Sequence, residues 1–138
     1  MNQEIEIWNV LHDGIISIFS EVNESTLTVF VHIPYIRRKI EPAGVSFVLK
    51  LFGVKTCIAQ DFDGNEESIS ENYDANRPEI LNTESKSMPV ILHTSIGNLV
   101  LEYEGIKYFL DTGTEIEYET ILNACTEYWN EWRNKNQA

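Results

Sequence analysis

Residues 89–110 read PVILHTSIGNLVLEYEGIKYFL. Three short apolar runs, 89–96, 99–103 and 106–110, are separated by Gly97-Asn98 and Glu104-Gly105. Both dipeptides are two-residue hairpin signals, so the stretch predicts an antiparallel meander of three strands. The chain on its C-terminal side changes period. Tyr118, Ile121, Leu122, Cys125, Tyr128, Trp129 and Trp132 recur at three- and four-residue steps, which places one apolar stripe along a helix over 114–134. Thr114 and Glu117 have the spacing of a capping box. Arg133 and Lys135 suit the negative end of the helix dipole.

Towards the N-terminus the two-residue period returns. Leu27, Val29, Val31 and Ile33 take one face of a strand, and Thr28, Phe30 and His32 take the other. Residues 15–22 predict its hairpin partner, 45–52 a third strand and 54–62 a fourth. Ile5, Trp8 and Leu11 have helical spacing, ended by the turn signal Asp13-Gly14. Residues 61–86 differ from the rest. They hold Asp61, Asp63, Glu66, Glu67, Glu71, Asp74, Glu79 and Glu84 against Arg77 and Lys86. This segment reads as a long exposed connection, with a helical turn near 78–81. The whole is expected to be one α+β domain over 1–138: an antiparallel sheet of about seven strands curled on a C-terminal amphipathic helix.

Net charge narrows the function classes. Twenty-two acidic residues oppose ten basic ones, giving −12. Such a surface repels nucleic acid and anionic lipid, and steers cationic partners towards contact. No apolar run approaches the length of a membrane helix, and the N-terminus lacks a basic, apolar leader, so a cytoplasmic protein is expected. Cys57 and Cys125 stand alone, outside any metal-ligand spacing. Asp61 to Glu67 has the flavour of a calcium loop. Aligned on Gly64, however, the first and last ligand positions fall on Ala59 and Ser70. No metal or cofactor is expected.

Two sets of residues remain. Asp61, Asp63, Glu66, Glu67, Glu102 and Glu104 form an acidic set suited to a basic protein partner. Glu102 and Glu104 also have the separation of a glycosidase pair, though alternating acids on a solvated strand explain them equally well. His12, Asp13, His32, Tyr35 and Arg37 form a candidate pocket, in which an acid beside a histidine suits a general base. The basic run Tyr35 to Lys39 suits an anion or internal pairing with the acidic connection.

Trp8 to Gly14 (WNVLHDG), a hairpin ending in Pro34-Tyr35-Ile36-Arg37, and a terminal helix with Tyr128-Trp129 give a layout. It resembles that of small uncharacterised bacterial single-domain proteins, among them immunity proteins of polymorphic-toxin systems. The resemblance implies a toxin-binding role without catalysis and assigns no functional residue. The expectation is a non-catalytic immunity or adaptor module, monomeric or homodimeric. The alternative is a small hydrolase or ligand-binding domain built on His12, Asp13 and His32.

Overall fold

A computed structural model describes residues 3–20, 25–68 and 77–136, the side chains of residues 19, 20, 67 and 68 excepted. The element order is α1 (Gln3–Val10), β1 (Ile15–Ser20), β2 (Thr26–His32), α2 (Pro34–Arg37), β3 (Ser46–Phe52), β4 (Thr56–Gln60) and β5 (Glu66–Ser68). It continues with β6 (Ile80–Thr83), β7 (Val90–Thr94), β8 (Gly97–Glu102), β9 (Gly105–Leu110), β10 (Glu115–Ile116) and α3 (Tyr118–Lys135). The class is α+β. The strands described form two five-stranded antiparallel sheets where one sheet is expected from the sequence. Sheet A has the order β1-β2-β3-β9-β10, and sheet B the order β5-β4-β8-β7-β6.

The division into two sheets comes from the chain between β8 and β9. Glu104-Gly105 turns the chain as expected, but β9 does not fold back onto β8. It leaves sheet B and pairs with β3, Phe52 opposite Gly105 and Phe47 opposite Leu110. Beside it, the chain from β3 to β4 makes the same crossing. The two crossings hold together through Glu104 N–H to Phe52 O at 2.8 Å and Lys55 N–H to Glu102 O at 2.8 Å. Gly53, at φ +63°, makes the bend, and a Cβ there would lie 2.7 Å from a Glu104 carboxylate oxygen. Tyr103 anchors the corner. It is 3 % exposed, its hydroxyl accepts the Trp8 indole N–H at 3.0 Å, and it donates to the Glu4 carbonyl. The far edges of the sheets also meet, where Ile15 bridges Glu79.

The turn between β7 and β8 lies at Ser95-Ile96, two residues before the Gly97-Asn98 expected from the sequence. Gly97 serves a close approach instead: at φ +134°, a Cβ on it would lie 2.1 Å from the Gln60 carbonyl oxygen. The connection 61–86 is corrected as well. Glu66–Ser68 and Ile80–Thr83 are the edge strands of sheet B, so the segment near 78–81 is extended rather than helical. Glu71 and Asp74 lie outside the described residues.

One core fills the space between the sheets. Val29, Val31, Leu49 and Leu51 of sheet A join Leu92, Leu99 and Leu101 of sheet B, all fully buried apart from small fractions. Ile7, Trp8 and Leu11 close the core from α1. The alternation expected for β2 is present, with Leu27, Val29 and Val31 inward. The expected capping box is not formed. Glu117 is the N-cap without a side-chain bond, because Glu115-Ile116 pairs with β9 and Leu110 N–H takes the Thr114 carbonyl. Helix α3 buries Tyr118, Ile121, Ala124 and Cys125. Its later turns run out over α1 and α2, leaving Trp132 50 % exposed.

Candidate functional site

The outer face of sheet B carries three rows that follow from strand register. Glu66, Gln60, Asn98, His93 and Asn82 form the first. Ile58, Val100 and Ile91 form the second, and Thr56 and Glu102 the third. The first row is knitted by Gln60 Nε2 donating to Glu66 at 3.3 Å and by a 2.8 Å bond between His93 Nδ1 and Asn98 Oδ1. The middle row is apolar, with Ile91 42 % exposed. Four residues of β8 separate the outer rows, so the rows holding Glu66 and Glu102 run roughly 13 Å apart with the apolar row between them. Phe62, 78 % exposed at the β4–β5 turn, and Leu81, exposed on edge strand β6, lie on the far side of the polar row from Ile58, Val100 and Ile91.

The acidic set read from the sequence is thus divided. Glu66 and Glu102 share the face just described. Asp61 is occupied by its own turn: Oδ1 accepts the N–H groups of Asp63 and Asn65, each at 2.9 Å, and Oδ2 accepts Asn65 Nδ2. The Asn65 backbone and side-chain donors, followed by the Asp63 and Gly64 N–H groups, hold its carboxyl below the usual range. Asp63 is exposed at the tip. Glu104 sits at the corner between the sheets, 3.9 Å from Lys55, and not on one strand face with Glu102. Glu67 pairs with Ala59 through its backbone, and its side chain lies outside the described residues.

The candidate pocket set is divided further. His12, Asp13 and Tyr35 do converge, where the end of α1 meets α2 and α3. His12 Nδ1 lies 2.9 Å from the Asn9 carbonyl; a carbonyl only accepts, so Nδ1 carries the proton. The ring stacks on Trp129 at 5.3 Å and 17°, and Nε2 is 3.9 Å from Asp13 Oδ2. Tyr35 lies against Tyr128 at 4.6 Å. Burial, then the negative charge of Asp13, Tyr128 and Glu79, pushes its phenol up to about 12. His32 lies elsewhere, on the outer face of sheet A opposite Ile15 and Ser46.

Arg37 is fully buried and bound structurally. Its guanidinium donates to Asp111 at 2.9 and 3.0 Å, to Glu41 Oε1 at 3.1 Å and to the Ser46 carbonyl at 3.2 Å. The run Tyr35 to Lys39 pairs internally in another way too: Lys39 meets Glu131 and Glu127 of α3. Both thiols are held protonated. Burial pushes Cys57 up to about 12, and burial also raises Cys125, opposed by the Trp129 indole. Among the described residues no three His, Cys, Asp or Glu side chains converge to hold a metal ion.

No protein-family model, curated protein or solved structure matches this chain.

The geometry of the chain therefore carries its functional reading. Sequence reasoning missed Ile58, Val100 and Ile91 as a solvent-facing row. Their alternation with Leu99 and Leu101 was visible, but which face lies outward depends on β4 and β7 pairing on either side of β8. No described helix is long and apolar enough to cross a membrane.

Proposed function

We propose that this protein is a non-catalytic binding module that presents the outer face of sheet B to a basic protein partner, in the manner of an immunity or adaptor protein. The observation that carries this reading is the apolar row Ile58–Val100–Ile91 flanked by Glu66 and Glu102, on a chain of net charge −12. An interface of this make-up combines an apolar centre with a charged rim, and the rim governs partner choice and encounter rate.

The test is affinity capture from a lysate of the source cells, at low and high salt, with the wild-type chain and two variants. The expected result is a basic protein retained at low salt, weakened at high salt, and lost with E66K/E102K and with I91D. Absence of any salt-sensitive basic partner would overturn the reading, as would a partner that both variants retain.

A further inference from the structure

The outer face of sheet A has the opposite character to that of sheet B. The row Ile15–His32–Ser46 crosses β1, β2 and β3, and Ser17–Phe30 lies beside it. With Arg77 these residues line a pocket of about 410 Å³. Its walls are Ile15 and Phe30. Its polar groups among the described residues are two hydroxyls, an imidazole and a guanidinium, with no carboxylate.

None of these four polar side chains makes a hydrogen bond or ion pair with another described residue. The Ser46 N–H donates to Asp111 Oδ2 at 3.0 Å and its carbonyl accepts Arg37 Nε at 3.2 Å, so its backbone is fixed while its side chain lines the pocket. Arg77 is held at φ +48°, in the left-handed region that side chains other than glycine seldom adopt. The Pro78 carbonyl, which accepts Ile16 N–H at 2.9 Å, fixes the segment against β1. Further along the face Lys50 and Lys107 sit opposite one another on β3 and β9, and neither meets a carboxylate among the described residues.

We propose that this pocket binds a small oxyanion ligand, a phosphate or carboxylate carried on an apolar body. Arg77 and His32 hold the anion, the Ser17 and Ser46 hydroxyls donate to it, and the apolar wall at Ile15 receives the body. The planar fork of a guanidinium matches either oxyanion in bidentate fashion. Two lysines on the same face favour approach of an anion to a molecule that otherwise repels it. The site is independent of the partner surface on sheet B.

The experiment is a titration of the full chain with inorganic phosphate, phenyl phosphate and benzoate, each to about 10 mM, followed by amide NMR shifts. Saturable shifts at Ser17, His32 and Ser46 are expected with at least one probe. A preference for phenyl phosphate over inorganic phosphate shows that the apolar wall takes the body, and phenyl phosphate against benzoate distinguishes the two anions. R77A should weaken binding about tenfold or more, the loss of one charge-assisted bond, and R77K should fall between. Arg77 is exposed, and the variant's own spectrum reports that the fold is intact. No saturable shift with any probe, or shifts that R77A and H32A leave unchanged, would overturn the proposal.

Discussion

Asp111, following β9 in sheet A, and Asp61, in the β4–β5 turn of sheet B, are two aspartates that accept backbone N–H groups. For both, the carboxyl is held below its usual range. They differ in reach. Asp61 takes all its donors from residues 63–65. Asp111 takes Val45 N–H at 2.8 Å, Ser46 N–H at 3.0 Å and the Arg37 guanidinium, thereby tying the start of β3 to α2 and the end of β9. Burial by itself would raise the Asp111 pKa, and the donors at Val45, Ser46 and Arg37 outweigh it. The number of hydrogen bonds is therefore a poor guide to what a charge does. Sheet A uses its acid to compensate a buried cation, and sheet B uses its acid to close a single turn.

The largest expected effect tests this contrast directly. Asp111→Ala removes the main counter-charge of a guanidinium that is 0 % exposed and leaves it only Glu41, whose side chain is 40 % exposed. A loss of about 3 kcal/mol is expected in denaturant unfolding, at the low end for breaking a buried pair because Asp111 retains some solvent contact. Asp61→Ala should move the unfolding midpoint much less. Equal shifts in the two variants would break the comparison.

Next comes a backbone test of sheet B. Gly97→Ala places a methyl group 2.1 Å from the Gln60 carbonyl, with φ at +134°. Since backbone cannot swing aside as a side chain can, about 2 kcal/mol should be lost, with β4 pulled from β8. Hydrogen exchange would locate the damage. Protection should fall at residues 56–60 and persist at 46–52. A uniform fall across both sheets would show that the shared core makes them unfold as one unit and that the damage is not confined to the β4–β8 ladder.

The pH dependence sharpens the same contrast. For both aspartates the folded pKa lies below the unfolded one, so each adds stability above the unfolded value near 4. Each loses it as pH falls through the folded value. The wild type should therefore lose stability on acidification below about pH 4. Asp111→Asn should flatten that fall more than Asp61→Asn does, because the Arg37 cluster spans three elements. Unfolding midpoints measured at several pH values would decide the order.

Much of the fold was legible because it is local. The alternation in 27–33, the helical spacing of Ile5, Trp8 and Leu11, and the stripe on α3 each lie in one short stretch and need no knowledge of what they pack on. The division into two sheets was not legible. Glu104-Gly105 is the same turn signal whether the next strand folds back or crosses to β3, and that choice depends on a partner some fifty positions earlier. Arg37 looked available for the same reason: its counter-ion is 74 positions away. Of the oxyanion pocket only His32 stood out as a candidate. Ser17 and Ser46 gave the outward phase of their strands and nothing more, and Arg77 sat in a segment whose acidity drew attention to its neighbours.

The smallest expected effect concerns the lysines of sheet A. Lys50 lies 5.3 Å over the Phe109 ring, and Lys107 lies 5.6 Å over Phe52. Each ammonium leans away from the other along the ladder, so their direct cross-strand repulsion is already reduced. Lys107→Glu gives up one exposed cation–π contact, about 0.5–1 kcal/mol. It gains an opposite charge facing Lys50, about 0.2–1 kcal/mol. These nearly cancel, and stability should change by less than about 0.5 kcal/mol, read from the unfolding midpoint. The substitution should nevertheless weaken binding of an anionic probe at the neighbouring pocket, because it makes the face less positive by two charges. A stability change well above that range would mean that the lysines hold sheet A together. A change within it would mean that they are kept for what approaches the face.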